Sequence, residues 1–360
     1  MPASASASHP SSPGVPALAD RRQRELRRAS DGRLPSRGKV LCASSFLAKR
    51  PELLQRLDDE GYEVVFNESG RTLDEAGLGA LLPGVVATVA GTEPYNERIL
   101  AAAPDLRIVA RLGVGFDQID VAAATRYGVA VAMAFGTNHE AVADHTFALM
   151  AALASSITSY DRLVRDGSWG SLAHGSLHGT TVGIVGLGRI GRAVAKRCQG
   201  FAMRVLAHDP LIDATILGHL GCTQVGLDEL LAQADFVSLH APLLPATRHL
   251  IDAAALSRMK SSAYLINTAR GPLVDEAALV AALEAGEIAG AGLDVFESEP
   301  LPAGSRLRAL ESVVLSPHAA GMSEGAVRAM TDRCIDSILA HLDGRPLEPS
   351  LILNPEAAGV

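Results

Sequence analysis

The sequence predicts an α/β protein of two domains, each built on a parallel sheet with helices wound over both faces. Three observations lead there. At 360 residues the chain is longer than the size at which one hydrophobic core usually keeps growing. Short runs rich in Val, Ile and Leu alternate with helical patterns, which is the mark of βαβ units. That alternation also occurs as two series, one starting at Lys39 and one at Thr181. A composition with 48% hydrophobic and 20% charged residues makes a sizeable core affordable.

Residues 1–38 are different material. Ser, Ala and Pro dominate first, and then Arg21, Arg22, Arg24, Arg27, Arg28, Arg33 and Arg37 face only Asp20, Glu25 and Asp31. Too little apolar surface is available there to offset the entropy of ordering, so a disordered N-terminal extension is expected. An Arg- and Ser-rich targeting segment is the alternative, and the three acids count against it.

From Lys39 the first series begins. Lys39–Ala43, Tyr62–Phe66, Val85–Ala90, Leu106–Ala110 and Val129–Ala132 read as strands, with helical stretches near 50–60, 72–82, 94–102 and 118–126 between them. Polar loops stand at the strand ends, including Gly113-Val114-Gly115-Phe116-Asp117. Ligands of open α/β sheets sit at such carboxyl ends. Residues 139–157 form a long apolar helical pattern expected to bridge the two domains.

The second series opens on Thr181-Val-Gly-Ile-Val-Gly186-Leu-Gly188-Arg189-Ile190-Gly191. A β-like run, three glycines spaced G-x-G-x-x-G and a helical pattern follow one another. Gly186 turns the chain, Gly188 admits a pyrophosphate to the backbone, and Gly191 lets the helix lie close to the strand. With 34 glycines in the chain this spacing arises by accident about 0.3 times, so the glycines alone are weak evidence. Asp209 supplies a further condition: it closes the next apolar run, where a carboxylate meets the ribose of NAD. Strands are expected at Val182–Val185, Val205–His208, Phe236–Leu239, Ala263–Asn267, Ala289–Leu293 and Val313–Leu315, six in all. A last helix near 323–342 carries Val327, Met330, Cys334, Ile338 and Leu342 on one stripe and is expected to return to the first sheet.

Three polar residues follow strands of the second series. Arg270 can grip a carboxylate with two hydrogen bonds, His318 can give or take a proton near neutral pH, and Glu299 can orient the imidazole. Each has a plain alternative. Arg270 could pair with Asp275 or Glu276, Glu299 could be an exposed turn before Pro300, and His318 a loop histidine. Three complementary groups beside a dinucleotide site favour chemistry, and hydride transfer to a 2-oxo acid needs this set. His174 and His178 are four apart, but the glycines around them oppose a helix, so no metal site is expected.

With these residues in view the chain resembles the NAD-dependent D-isomer-specific 2-hydroxyacid dehydrogenases, and most the phosphoglycerate dehydrogenase-like branch. The matching stretches are Arg111–Asp120, Thr181–Gly191, Asn267–Glu276, Gly292–Pro300 and Ser316–Gly321. The resemblance implies two doubly wound (Rossmann/flavodoxin-like) domains with a cleft between them. Residues 39–138 plus 320–352 would form the substrate domain and 139–319 the NAD-binding domain. It implies Arg270 as carboxylate binder, His318 as general acid/base and Glu299 as its partner. Val114 and Gly115 would meet the substrate. Arg189 and Ile190 would lie at the pyrophosphate, and Thr268, Ala269 and Asp294 would line the cofactor site, Asp294 at the nicotinamide end. A homodimer formed around the cofactor domain is also implied. Two departures stand out: Asp144 occupies a position where the family usually carries Glu, and a regulatory domain is expected to be missing after about residue 350.

Physiological substrates left open include 3-phosphoglycerate, glyoxylate or hydroxypyruvate, and phosphite; a non-enzymatic NAD-sensing corepressor is the alternative of another class. A net charge of −8 argues against a general nucleic-acid binder. The scattered Cys42, Cys198, Cys222 and Cys334 read as reduced thiols of a cytoplasmic protein, and no apolar run has the length of a membrane span.

Overall fold

A computed structural model of the chain describes residues 36–359. The expected disordered extension, 1–38, lies almost wholly outside the described residues. The first sheet takes β1 (Lys39–Cys42), β2 (Glu63–Phe66), β3 (Val85–Ala90), β4 (Ile108–Arg111) and β5 (Ala130–Met133), all parallel, in the order β2-β1-β3-β4-β5. Its helices are α1 (Gln55–Asp59), α2 (Glu75–Leu81), α3 (Glu97–Ala101) and α4 (Val121–Arg126). They are shorter than their sequence patterns, and capping gives the reason. Asp74, Asn96 and Asp120 accept hydrogen bonds from the N–H groups of Gly77, Ile99 and Ala123, which fixes each helix start about three residues late. Before α1, Pro51 opens a short 3₁₀ turn instead.

The bridging helix α5 (His139–Ala154) stops at a left-handed Ser156, and α6 (Ile157–Arg165) leaves at a new angle, so the pattern expected to 157 ends three residues sooner. The second sheet contains β6 (Thr181–Val185), β7 (Arg204–His208), β8 (Thr223–Gln224), β9 (Phe236–Leu239), β10 (Tyr264–Asn267), β11 (Gly290–Leu293) and β12 (Val313–Leu315). All are parallel, in the order β12-β11-β10-β9-β6-β7-β8. Seven strands replace the expected six. The extra one, β8, is two exposed polar residues with no apolar run to announce it. Five helices intervene: α7 (Arg189–Gly200), α8 (Ala214–Leu220), α9 (Leu227–Gln233), α10 (Ala253–Arg258) and α11 (Glu276–Ala285). Leu149, Met150 and Leu153 of α5 join Val182, Ile184 and Ile266 in one buried cluster, so α5 is welded to the second sheet. Among the described residues no single helix is long and apolar enough to cross a membrane.

The last long helix, α12 (Glu324–Leu342), returns to the first sheet as its stripe implied. Val327, Met330, Cys334 and Ile338 are buried with Val40, Ala87, Ile108 and Ala132, at about 1.5–3 kcal/mol for each large side chain so covered. Leu342, the stripe's last member, is only partly covered. Packing continues past residue 352. Buried Asn354 accepts from the Val131 N–H and donates to the Val129 carbonyl, and a short helix α13 (Pro355–Ala358) closes the chain against this sheet.

Candidate active site

Strand order reverses between β6 and β9, and the glycine turn sits there. Gly186 adopts φ +91°, and a Cβ on it would lie 2.7 Å from the Ala241 nitrogen. A Cβ on Gly191 would lie 2.1 Å from the Gly186 carbonyl oxygen, so only glycine lets α7 start this close to the turn. Gly188 is different. Nothing lies within 4 Å of its Cβ position, leaving the open space a phosphate group needs. Gly188 caps α7 without any side-chain hydrogen bond, so the N–H groups at Arg189 and Ile190 are available to an anion. Asp209 ends the next strand, and its carboxylate accepts from the N–H groups of Leu187 (2.8 Å) and Leu211 (2.9 Å). Each oxygen keeps a lone pair for a ribose hydroxyl. These features fit a dinucleotide.

One edge further along the sheet, His318 Nδ1 and Glu299 Oε2 stand 2.7 Å apart. The other Glu299 oxygen accepts from the Phe296 N–H at 3.0 Å. Burial alone would raise this carboxyl, but the hydrogen bond and charge of His318, the Phe296 N–H and the charge of Arg270 outweigh it and hold Glu299 below its ordinary value. An ionised Glu299 can only accept, so Nδ1 is the donor, and Nε2 is left as the nitrogen for proton exchange. The backbone at His318 is left-handed, φ +54°, a conformation a histidine holds only under outside constraint. Buried Asp294 supplies that constraint. Its carbonyl accepts from the His318 N–H, and its carboxylate from the N–H groups of Ala319 and Ala320 and the Ser316 hydroxyl. Asp294, expected at the nicotinamide end, is thus also bonded into the loop that carries His318.

Arg270 follows β10 on a turn tied by Asn267, whose side chain donates to the Arg270 carbonyl and accepts from the Ala269 N–H. Beside it the Thr268 hydroxyl meets that of Thr146 at 2.8 Å. Arg270 does not pair with Asp275 or Glu276. Asp275 caps α11 through the Ala278 N–H, and Glu276 accepts from the Glu297 N–H. Instead Arg270 reaches across the cleft. Its Nε donates to Asp117 at 2.7 Å, its Nη1 to the Ala269 carbonyl, and its Nη2 lies against Gly115, where a Cβ would come within 1.2 Å. Val114 and Gly115 are half-buried at the same mouth. The structure therefore brings together residues from both sheets: Val114, Gly115 and Asp117 from one, and Arg270, Glu299 and His318 from the other.

Residues 147–320 match the family model described as "D-isomer specific 2-hydroxyacid dehydrogenase, NAD binding domain". A glyoxylate reductase of Korarchaeum cryptofilum is 45% identical over 275 residues, which cover 75% of this chain and 82% of that protein. The chain belongs to the D-isomer-specific 2-hydroxyacid dehydrogenases. A D-3-phosphoglycerate dehydrogenase of Mycobacterium tuberculosis is 46% identical over 258 residues, covering 71% of this dehydrogenase but 49% of the relative, so the chain spans about half of that protein's length. Among solved structures, the TT0316 protein from Thermus thermophilus superposes with a TM-score of 0.78 at 36% identity, covering 88% of this chain and 99% of the other. NAD is the cofactor of the dehydrogenase, and the open glycine turn beside Asp209 is where it fits.

Two residues of this dehydrogenase's cleft carried no assigned role in the sequence reading. Asp117 was legible only as a loop acid, and its role depends on the closeness of the two sheets. Arg111 ends β4 and is buried, yet its guanidinium has no ion-pair partner among the described residues and donates to the Leu112 carbonyl. Burial lowers its pKa, and the neighbouring positive charge of Arg270 pushes the same way. A buried strand-end arginine in a polar loop motif was the available signal. The Asp144 departure is absorbed by Arg197, which bridges Asp144 and Glu140. His174 and His178 sit in irregular chain, the former edge-on to Tyr160.

Proposed function

We propose that this dehydrogenase reduces a small 2-oxo acid to the D-2-hydroxy acid, and runs the reverse reaction when product accumulates. The carrying observation is the 2.7 Å His318–Glu299 contact one loop from Arg270 at the mouth of the NAD site. Arg270 fixes the carboxylate and so orients the carbonyl, while the N–H groups near Val114 and Gly115 receive its oxygens. Bound NADH supplies the hydride that reduces C2. His318 then gives its Nε2 proton to the nascent alkoxide, and Glu299 steadies the ring through Nδ1; in reverse, neutral His318 is the base. Purified protein mixed with NADH and a panel of glyoxylate, hydroxypyruvate and 3-phosphohydroxypyruvate tests this by loss of absorbance at the reduced-nicotinamide band. Turnover of at least one acid is expected. No turnover on any would favour the NAD-sensing corepressor.

A phosphorylated substrate is the second reading, and Arg111 favours it. A buried guanidinium with no ion pair among the described residues, beside Arg270, is a second positive centre for an acid with two anionic groups. Preference for 3-phosphohydroxypyruvate over glyoxylate, lost in Arg111→Met, is its test. Homodimerisation belongs to the same proposal. Ile157 and Val164 of α6, and Trp169 (92% exposed) and Leu172 beyond it, leave apolar surface that a second copy would cover. Light scattering behind a sizing column reads the mass directly. A cytoplasmic location is proposed too, in keeping with four free cysteines of which three are buried.

A further inference from the structure

We infer that His145 is a positioning residue for proton transfer, acting through Ser316 and Asp294 on the loop that holds His318; the inference rests on the reaction proposed above. His145 Nε2 lies 2.8 Å from Ser316 Oγ, and Ser316 Oγ lies 2.6 Å from Asp294 Oδ1. The polarity of this chain is fixed by counting protons. Asp294 is 1% exposed and accepts from two backbone N–H groups, so it is a carboxylate with acceptors only. The one Ser316 proton therefore goes to Asp294, at the short distance of a charge-assisted bond, and Ser316 Oγ must accept from His145 Nε2–H.

What that chain restrains is specific. Asp294 binds three consecutive backbone N–H groups: His318 through its carbonyl, and Ala319 and Ala320 through its carboxylate. These hold His318 in its left-handed conformation, which is strained for a histidine and persists only when the surroundings over-determine it. Ser316 belongs to the segment being held, and Asp294, which holds it, directly follows β11. His145 comes from outside, on α5, the helix buried against the second sheet. It is a second anchor, which ties the strained loop to a rigid helix through the serine that bonds Asp294. Direct contact of His145 Nε2 with Asp294, at 3.6 Å, is too long for a hydrogen bond, so the coupling runs through the serine.

Without His145, Ser316 loses the donor that fixes its hydroxyl, and the loop gains freedom at the catalytic imidazole. Substrate grip by Arg270 and NAD binding at the glycine turn are untouched, so the loss falls on turnover. The experiment compares His145→Ala, His145→Gln and Ser316→Ala with wild type. Their substrate kinetics, NADH affinity by nicotinamide fluorescence, melting temperature and solvent deuterium isotope effect on kcat are measured. A displaced catalytic group costs up to roughly 100-fold, so His145→Ala should lose about 10- to 100-fold in kcat. Its KM and NADH affinity should stay within about twofold of wild type. Its solvent isotope effect should rise, because the proton step slows relative to hydride transfer. The Gln variant, whose amide N–H can reach Ser316, should recover most of the loss; Ser316→Ala should reproduce it, and the double variant should be no worse than either single one. Wild-type kcat in His145→Ala overturns the inference. So does a parallel fall of kcat, NADH affinity and melting temperature that Gln does not repair, which would make His145 a packing residue. Failure of wild type itself to turn over any 2-oxo acid would overturn the reaction first, and this inference with it.

Discussion

Replacing Gly115 by alanine tests the cleft most directly. The new Cβ would stand 1.2 Å from Arg270 Nη2 and 2.4 Å from its Cζ, where ordinary contacts begin near 3.4 Å. Something must move by about 2 Å, and the flexible arginine moves more cheaply than a strand-end loop. Gly115 is not in the left-handed region, so alanine fits its backbone and the fold is spared. Arg270 gives up its place between Asp117 and the substrate carboxylate. A charge-assisted hydrogen bond is worth about 1.5–3 kcal/mol, so kcat/KM should fall roughly 10- to 150-fold. NADH affinity should hold, because the glycine turn is on the other sheet. Steady-state kinetics with the best acid of the panel, a fluorescence titration with NADH and a melting curve together read all three. Combining the change with Arg270→Lys should add little, since both remove one planar grip that a point charge cannot replace. Activity of Gly115→Ala within about threefold of wild type would show that Arg270 works from another place, and the assignment of the substrate mouth would fall.

Further expectations follow from single contacts. His318→Ala should keep NADH affinity and lose roughly 100- to 10,000-fold in kcat; collapse of both together would make His318 structural. Asp209→Ala should narrow the preference for NADH over NADPH, because the carboxylate between Leu187 and Leu211 repels a 2′-phosphate, and equal use of NADPH by wild type would contradict this. His240, half-buried beside the glycine turn, has its Nδ1 buried with no partner among the described residues, and burial lowers its pKa from 6.5 to about 3. Its neutral form therefore contributes stability in full above pH 6.5, and that contribution drains as pH falls towards 3. By pH 5 the loss is about 2 kcal/mol, so the melting temperature of wild type should drop more between pH 7 and pH 5 than that of His240→Asn. Parallel curves would place His240 in contact with solvent.

Much of the fold was legible because parallel strands buried on both faces write themselves as apolar runs. Phe236–Leu239 and Val313–Leu315 appear with the bounds their residues suggested. What escaped was set by partners distant in sequence. Helices α2, α3 and α4 begin at cap residues that apolar periodicity does not register, and β8 exists because β7 offers it an edge. The same division holds at the site. Arg270, Glu299 and His318 stand at strand ends and could be named from local order. The partner of Arg270 could not: Asp275 and Glu276 are near in sequence, but a helix cap and a backbone N–H claim them, while Asp117, 153 positions away, faces the guanidinium.

That pairing says how the two sheets cooperate. Two guanidinium groups meet in the cleft, Arg111 from the first sheet and Arg270 from the second, and the charge of Arg270 disfavours that of Arg111. Asp117 neutralises one. Burial alone would raise the Asp117 carboxyl, yet the charge of Arg270 and its hydrogen bond reverse that and hold it below its ordinary value. The charge of buried Glu93 favours the charged form of Arg111 in the same way, so both guanidinium groups have an acid within electrostatic reach on the first sheet. Arg270, on the second sheet, touches Gly115 and Asp117 on the first, so the acid proposed as substrate would meet groups of both sheets at once. A change at Gly115 or Asp117 is therefore also a change at Arg270, while His318 is held separately through Asp294.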